Sequence, residues 1–292
     1  MESKKTDVAE HYNSVPEVGL KERAQSRIFF LRNLNNWVKS ALINDALQRV
    51  RKEDKGSVEP HPITVLDLCC GKGGDLLKWK VGEIRHLICV DIAELSLKQC
   101  QSRYEEMCQR MRYGRPEKVF SAEFISADCT ETIVSSKFRD PERRLDICSC
   151  QFSLHYSFSS EERATCMLRN ACENLKVGGY FIGTVPDANR IVYLCRQSGT
   201  KSFKNGICQL KFEDVEGDSF PLFASKYHFT LDEVVNCPEY LVYFPLLQKM
   251  LEKFNMELVL KKSFPSILYD HHKEGPARTL LGRMQCLEAS IA

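Results

Sequence analysis

The sequence predicts an α/β fold built on a doubly wound, mostly parallel sheet, and three observations indicate it. Short apolar runs, such as HLICVD at residues 86–91, are continuous rather than alternating, as in strands that are buried on both faces. Helical patterns separate these runs along the chain. The first run passes directly into the glycine-rich stretch VLDLCCGKGGD at residues 65–75, which is typical of a tight strand-to-helix turn.

Residues 26–51 are predicted to form a long helix that precedes the sheet. Apolar side chains recur in it at three- and four-residue steps and give one apolar stripe. Asn35 and Asn36 face away from most of that stripe, and Lys39 lies one turn further along on the same side. This polar side of the helix is therefore a candidate for facing a ligand.

Strands and helices then alternate from residue 63 onward. Strands are predicted at residues 63–68, 86–91, 123–128, 145–151 and 180–185, with helices between them at 73–80, 94–112 and 159–175. The glycine pair in KVGG is predicted to form the turn that ends the last of these helices, at residues 176–179. Beyond Pro186 the pattern loosens, and it predicts antiparallel strands, one helix and one final strand, at residues 201–214, 220–230, 243–254 and 256–264.

Composition limits the class of protein without indicating a function. With 41 basic and 39 acidic residues the net charge is +2, so a nucleic-acid partner would have to be held by a local basic surface. The start of the chain is polar, and no run approaches the length of a membrane span. The 14 cysteines include no CxxC pair, so we expect buried thiols in a reducing compartment and no metal site.

The glycine-rich stretch and two acids indicate a nucleotide-like cofactor. In a parallel sheet, ligands bind at the carboxyl ends of the strands, where glycines let the backbone approach closely. Asp91 ends the second strand, where an acid commonly binds ribose hydroxyls, and Asp128 ends the third, where an acid can meet an adenine amino group. The stretch is neither G-x-G-x-x-G nor a P-loop, so S-adenosylmethionine is the predicted cofactor. The alternative is that both aspartates only cap the helices that follow.

Several longer motifs resemble those of one enzyme family. HYN at residues 11–13, LRNLNNWVK at 31–39, LDLCCGKGGDLLKWK at 66–80 and CSCQFSLHYSF at 148–158 closely resemble the eukaryotic mRNA cap guanine-N7 methyltransferases. This resemblance implies a class I, Rossmann-like methyltransferase fold with an N-terminal helical extension and a C-terminal α+β insertion beside the cap pocket. The implied division is an extension at 1–25 and one domain at 26–292, with the core sheet at 63–185 and substrate-side additions at 26–51 and 186–264.

The resemblance also implies which residues form the site. The positions implied for S-adenosylmethionine are Lys39, Cys69, Asp91, Asp128, Gln151 and Tyr156. Those implied at or near the cap pocket are Asn35, Asn36, Lys72, Lys78, Arg103, His155 and Glu239. Lys72 in the glycine turn and Lys78 one or two turns along the same helix suit the triphosphate bridge of a cap. On the residues alone, Lys78 is equally well explained as a solvated helix lysine, and Arg103 as a partner of Glu106 on its own helix.

The implied reaction needs no general base. Guanine N7 carries a free lone pair and no proton, so no catalytic acid or base is expected, and the rate would come from in-line alignment and from acidic groups near the developing cation. The resemblance further implies the capped 5′ end of mRNA as substrate, a nuclear location and an association with the transcription and capping machinery. Family members in vertebrates also use a small activating partner.

Two other functions stay open on the sequence. One is a class I methyltransferase that acts on another phosphate-bearing substrate, and the other is a methyltransferase fold that only binds RNA or cofactor. Two departures from the family favour impaired activity. Cys69 stands where members usually have glycine, which puts a Cβ atom in a turn that favours positive φ. The family's last strand has no counterpart before Ala292, so we expect the strand at 256–264 and the edge of 180–185 to lack a partner and to promote association.

Overall fold

The computed structural model describes residues 7–14, 24–53, 61–112, 119–213, 219–232, 234–273 and 275–288. Its centre is a five-stranded parallel sheet, which confirms the predicted α/β fold. The strands are β1 (Thr64–Leu68), β2 (His86–Asp91), β3 (Ser121–Ser126), β4 (Leu145–Gln151) and β5 (Leu175–Thr184). Their order across the sheet is β3-β2-β1-β4-β5, so the direction of winding reverses between β1 and β4. A crevice at such a reversal is where open α/β sheets bind ligands.

Helices cover both faces of this sheet. In chain order, the helices of the described residues are α1 (Asp7–Ser14), α2 (Phe29–Glu53), α3 (Leu76–Val81), α4 (Glu94–Arg112), α5 (Glu161–Cys172), α6 (Ala188–Gln197), α7 (Phe244–Glu252), α8 (Phe264–His271) and α9 (Gly275–Arg283). Two short 3-10 helices, Val134–Lys137 and Leu154–Ser159, follow β3 and β4. None of the helices in the described ranges is long and apolar enough to cross a membrane.

The continuous apolar runs are explained by burial on both faces. Along β1, Val65 belongs to the core that includes Leu47 of α2, whereas Leu66 belongs to the opposite core with Leu168 of α5. Every residue of β1, β2 and β4 is buried. Because successive side chains of a strand point to opposite faces, each of these strands needs apolar residues at nearly every position.

The KVGG segment is a bulge inside β5 rather than the predicted turn. Leu175 already pairs with Leu145 of β4, and the register then shifts so that Tyr180 pairs with Ile147. Gly178 has a φ of 79°. A Cβ atom on Gly179 would lie 2.9 Å from the Lys176 carbonyl oxygen, so the backbone crossing leaves room only for glycine there. The last strand thus begins five residues before its predicted start at residue 180.

A second, antiparallel sheet follows the first. Its strands are β6 (Ser202–Lys204), β7 (Cys208–Phe212), β8 (Lys226–Leu231) and β9 (Val235–Tyr240), paired in that order. The two segments that were predicted to be antiparallel strands supply the first three, whereas β9 and α6 were not predicted. Leu210 and Tyr227 pack against Ile191 of α6 in a separate small core.

The predicted strand at residues 256–264 is wrong. Residues 255–263 form neither helix nor strand, and Leu258, Val259 and Leu260 are exposed. A β-prone sequence becomes a strand only where a neighbouring strand accepts its hydrogen bonds, and no described strand lies beside this one. The chain instead continues into α8 and α9, which were not predicted. They pack on Trp37, whose indole N–H donates to the Ala277 carbonyl oxygen over 3.0 Å.

Candidate cofactor and substrate site

A cavity of about 660 Å³ opens at the carboxyl ends of the central strands, and we call it the central cavity. It lies where the sheet reverses its winding, next to the ends of β1, β2 and β4. Eight of the predicted site residues line it: Asn36, Lys39, Cys69, Lys72, Asp91, Asp128, Gln151 and Tyr156. The other five, Asn35, Lys78, Arg103, His155 and Glu239, do not line it.

The glycine-rich loop forms the floor of the central cavity. Cys69 has a φ of 57°, Gly71 one of 52° and Gly73 one of 73°, so three residues of one turn are left-handed. The Gly71 N–H donates to Asp91 Oδ2 over 2.8 Å, which ties the loop to the end of β2. A Cβ atom on Gly73 would lie 2.8 Å from Cys100 Sγ. The loop therefore needs glycine at position 73 because α4 packs directly against it.

Asp91 is a buried carboxyl group at the end of β2. Its Oδ1 accepts from the Ala93 N–H over 2.7 Å, so each oxygen already accepts one backbone hydrogen bond. Burial, and next the neighbouring Cys69 sulfur, raise the pKa of Asp91 to about 7, against the lowering effect of those two hydrogen bonds. Hydrogen bonds from the Cys129 and Cys150 thiols in turn hold the pKa of Cys69 well below its ordinary value. Asp91 thus caps the turn that follows β2 and also lines the cavity.

Asp128 has the same double role after β3. Its Oδ1 accepts from the Thr130 N–H over 2.8 Å and from the Thr130 hydroxyl over 2.6 Å, which fixes the side chain in the cavity wall. Each aspartate can therefore both cap the turn that follows it and bind a ligand. The capping hydrogen bonds leave the carboxylate in the cavity wall.

Lys39 and Lys78 both bind Asp75, an acid that the sequence did not single out. Lys39 Nζ lies 2.9 Å and Lys78 Nζ 2.7 Å from Asp75 Oδ1, and all three side chains are largely buried. Burial alone would raise the pKa of Asp75, but the two lysines hold it below its ordinary value. Lys78 also donates to the Gly74 carbonyl oxygen over 3.1 Å. Lys78 is therefore neither a freely solvated lysine nor part of the cavity wall, and it braces the glycine-rich loop.

The basic and amide side chains nearest the cavity differ partly from those predicted. Arg103 Nη1 donates to the Lys72 carbonyl oxygen over 2.8 Å, so Arg103 supports the loop from behind. Asn35 is half-buried on α2 but does not line the cavity, whereas Arg32, Asn33 and Asn36 do. Positions 32 and 36 lie four residues apart on one helical face, and this spacing was a signal that the sequence already contained.

His155 and Glu239 form a buried pair behind the cavity wall. They are 2% and 4% exposed, and His155 Nε2 lies 3.4 Å from Glu239 Oε1. Glu239 Oε2 accepts from the Tyr227 hydroxyl over 2.6 Å. The ring of Tyr156 lies 4.2 Å from that of His155, and Tyr156 also lines the cavity. Tyr156 is thus the layer between the cavity and the His155–Glu239 pair.

Helix α1 also places Tyr12 at the site, a residue that was not predicted to belong to it. The hydroxyl groups of Tyr12 and Tyr156 lie 3.0 Å apart, and the Tyr156 hydroxyl is 3.6 Å from Cys237 Sγ. Burial raises the pKa of both tyrosines well above the ordinary range, so both hydroxyls are protonated. Tyr12 belongs to the HYN motif, and this motif was the sequence feature that could have indicated its place in the site.

The fold and the site together define a class of protein. A parallel sheet of this order, a glycine-rich loop after its first strand and an acid at the end of its second define a class I S-adenosylmethionine-dependent methyltransferase. The family model described as the mRNA (guanine-N(7))-methyltransferase domain matches residues 1–290. The chain belongs to this family, and its cofactor is S-adenosylmethionine.

Named relatives agree with the family. An mRNA cap guanine-N(7) methyltransferase of Drosophila melanogaster is 45% identical over 286 residues, and the match covers 97% of this chain and 65% of the relative. A Caenorhabditis elegans protein of the same name is 45% identical over 287 residues, covering 97% of this chain and 72% of the relative. A solved S-adenosylmethionine-dependent methyltransferase of Clostridium acetobutylicum is 15% identical with a TM-score of 0.49, covering 76% of this chain and 82% of its own. The chain therefore spans about two thirds to three quarters of the length of the two named relatives.

The residues of the central cavity fit this cofactor. The loop offers a backbone cradle at Gly71 but none of the lysine–hydroxyl pairing that a P-loop uses for phosphates. Open space surrounds the position where a Cβ atom on Gly71 would lie, so a ligand can approach that backbone. Two carboxyl groups, Asp91 and Asp128, line the wall beyond it. A ligand that has a ribose and an amino-bearing base but no phosphate matches this set of groups.

Proposed function

We propose that the chain transfers a methyl group from S-adenosylmethionine to N7 of the guanosine cap of mRNA. Bound S-adenosylmethionine supplies an electrophilic methyl group on a sulfonium. The observation that carries the proposal is a cofactor-type cavity with a buried His155–Glu239 pair behind Tyr156, which lines the cavity and contacts His155. N7 loses no proton, so the residues are needed to orient the two substrates rather than to act as a base.

On the cofactor side, Asp91 would accept from the ribose hydroxyls and Asp128 from the adenine amino group. Lys39, Cys69, Gln151 and Tyr156 would surround the methionine part, since they line the same cavity. Lys39 is held by Asp75, and Gln151 donates to Ser149 Oγ over 3.1 Å, so both side chains are fixed before any ligand arrives. Such preorganisation reduces the ordering that binding requires.

On the cap side, Glu239 would accept from guanine N1 and from the 2-amino group, which are both donors. His155, 3.4 Å from Glu239, would help to fix that carboxylate. Asn36 and Lys72 line the cavity and would meet the ribose and phosphates, together with Arg32. Arg103 and Lys78 would act through the loop that they support, and Asn35 through its neighbours on α2.

Isothermal titration with S-adenosylmethionine tests the cofactor assignment. Asp91→Ala should weaken binding by about 1–3 kcal/mol, the loss expected for a buried hydrogen-bond acceptor of the ligand. Asp187→Ala is the matched control, because Asp187 also accepts from two backbone N–H groups, those of Asn189 and Arg190, but lies outside the cavity. If both variants bind as tightly as the parent, Asp91 does not hold the cofactor.

Methyl transfer to capped and uncapped RNA tests the reaction. Tritiated methyl groups should enter capped RNA only, and the Michaelis constant should rise with salt because lysines and arginines neutralise phosphates. Lys72→Met should reduce the slope of log KM against log salt by about 0.7, and Lys204→Met, an exposed lysine of β6, should not. Equal transfer to an uncapped, phosphate-bearing nucleotide would favour a different substrate. Cofactor binding without any transfer would favour a binding module.

The cellular setting is proposed from the same assignment. An enzyme that modifies the cap of mRNA would act in the nucleus, with the transcription and capping machinery, and a small activating subunit would bind outside the central cavity. Localisation of the tagged full chain by microscopy, together with purification of the proteins bound to it, tests both points. An exclusively cytosolic chain without capping partners would contradict them.

A further inference from the structure

Three cysteines from three different elements meet below the glycine-rich loop. Cys70 lies in the loop, Cys89 in the middle of β2 and Cys100 on α4. Their Sγ atoms all lie within 4.8 Å of one another. Cys89 and Cys100 are fully buried, whereas Cys70 is half-buried. The spacing along the sequence gives no sign of this cluster, because the sheet brings the residues together.

The distances are close to those that a shared metal ion requires. With metal–sulfur bonds of about 2.3 Å, three coplanar thiolates lie about 4.0 Å apart, so a shift of less than about 1 Å would bring these sulfurs into position. No carboxylate or imidazole ligand atom of the described residues joins the three sulfurs at that distance. A set of three sulfurs without oxygen or nitrogen excludes Mg²⁺ and Ca²⁺ and suits soft, thiophilic cations.

We propose that Cys70, Cys89 and Cys100 form a three-sulfur binding site for a thiophilic cation of the Cu(I) or Zn(II) class. Cu(I) is satisfied by three thiolates in a plane, whereas Zn(II) prefers four ligands and would take a solvent molecule as the fourth. Binding replaces the thiol protons, which are released to solvent, and no oxidation or reduction occurs.

The position of this site couples it to the glycine-rich loop. The Cys70 N–H donates to the Val90 carbonyl oxygen over 3.1 Å, and the next residue, Gly71, donates to Asp91. The Cys100 sulfur also packs where a Cβ atom on Gly73 would lie. A bound cation would therefore fasten the loop to both β2 and α4. Because a ligand that binds only the folded state stabilises it, the loaded chain should melt at a higher temperature.

The test is a titration of the full chain, purified in reductant without metal, first with Cu(I) against a chromophoric Cu(I) chelator and separately with Zn(II). We expect one tight equivalent and a higher melting temperature. Cys100→Ser, which keeps the size of the side chain but offers a poor ligand for soft cations, should lower the affinity at least about 100-fold and abolish the thermal shift. Cys172→Ser, a buried thiol of α5 outside the cluster, should change neither.

X-ray absorption of the loaded parent chain counts the sulfur ligands and does not depend on whether a variant folds. Three sulfurs for Cu(I), or three sulfurs and one oxygen for Zn(II), support the site and identify which cation it prefers. Fewer sulfurs would overturn the proposal. Loss of the tight equivalent in Cys129→Ser but not in Cys100→Ser would also overturn it, because it would assign the cation to the cavity wall.

Discussion

At the scale of single residues, Cys69 has a backbone conformation that favours glycine. Its φ of 57° is one that glycine adopts easily and that other residues adopt at a cost of about 1–2 kcal/mol. Its sulfur accepts hydrogen bonds from the thiols of Cys129, which lines the cavity, and of the buried Cys150. The sequence predicted the strain from the loop pattern, but the two thiol partners come from β4 and the segment after β3.

Replacing Cys69 should separate backbone strain from side-chain contacts. Cys69→Gly removes the strain and the thiol contacts together, so we expect unfolding free energy within about 1 kcal/mol of the parent and unchanged or tighter cofactor binding. Cys69→Val adds a β-branched side chain at positive φ and should lose at least about 2 kcal/mol. Urea unfolding and isothermal titration measure both effects. A Val variant as stable as the parent would show that the loop relaxes to another conformation.

The raised pKa of Asp91 predicts a pH dependence of cofactor binding. An ionised carboxylate accepts hydrogen bonds from ribose hydroxyls more strongly than a protonated one. Because the pKa is about 7, the carboxyl group is mostly neutral at pH 6 and mostly ionised at pH 8. Affinity for S-adenosylmethionine should therefore rise by about fivefold over that interval, equivalent to about 1 kcal/mol. Asp91→Asn should abolish the rise, and a parent with constant affinity between pH 6 and 8 would exclude this titration.

The raised pKa of Asp91 also makes the stability of the folded protein depend on pH, in the direction opposite to cofactor binding. The folded-state pKa of Asp91 lies above its ordinary value of 3.8, so the folded state binds the proton more tightly than the unfolded state. The stabilisation that comes from this tighter proton binding is complete below about pH 4 and is lost as the pH rises through about 7. Cofactor binding and apo-protein stability should therefore respond to pH in opposite directions.

At the scale of secondary-structure elements, one buried acid connects α2, the glycine-rich loop and α3. Asp75 stands at the start of α3 and binds Lys39 of α2 as well as Lys78 of α3. The sequence predicted both lysines as ligand contacts because each stands in a motif, but it gave no reason to pair them with each other. The pairing depends on how α2 packs across the sheet, which is a tertiary property.

Asp75→Asn should therefore destabilise the protein strongly. It leaves two largely buried ammonium groups without their shared carboxylate, and breaking such an arrangement costs about 3–5 kcal/mol. Urea unfolding measures this loss. Asp45→Asn on α2 is the control, because Asp45 also binds a basic side chain, Arg49, but at a more exposed position, and it should lose less than about 1 kcal/mol. Similar losses for the two variants would contradict the structural role of Asp75.

The elements that were predicted correctly and those that were not differ in what determines them. Strands β1, β2 and β4 are buried on both faces, so their apolar runs determine them locally. The bulge in β5 and the unpaired segment at residues 255–263 depend on which backbone lies alongside, and a single sequence does not show that. The same distinction, between local sequence and tertiary packing, applies to the residues of the site. The predicted residues at strand ends line the cavity, whereas the buried His155–Glu239 pair and Tyr12 depend on packing between distant elements.

At the scale of the whole molecule, the central sheet ends at β5 within the residues that the structure describes. In the part of the chain that the structure describes, β5 pairs with β4 on one side and with no strand on the other. Val177 in the bulge is fully exposed beside this edge. An unpaired edge with apolar side chains promotes pairing with another chain, so the association expected from the sequence stays a prediction with a defined location.

A single charge at this edge should reduce association. Val177→Lys is expected to lower the weight-average mass at high protein concentration. A strand of another chain that pairs with β5 would have to bury the lysine, and this opposes pairing. The control is Val81→Lys, which adds the same charge at another exposed valine, at the end of α3. Sedimentation velocity over a range of concentrations provides the measurement. If the parent is monomeric throughout, or if both variants behave alike, the β5 edge does not mediate association.

The contact between Tyr12 and Tyr156 has a consequence for regulation. With guanine placed against Glu239 as proposed, the cap would reach its pocket only in molecules in which Tyr156, and with it the contacting Tyr12 of α1, has moved aside. The apparent dissociation constant then equals the intrinsic one divided by the fraction of such molecules, so a one-in-ten population weakens cap binding about tenfold. Anything that holds α1 in its displaced position would raise that fraction. It would strengthen cap binding without contacting the cap, by shifting the balance between the two positions of α1.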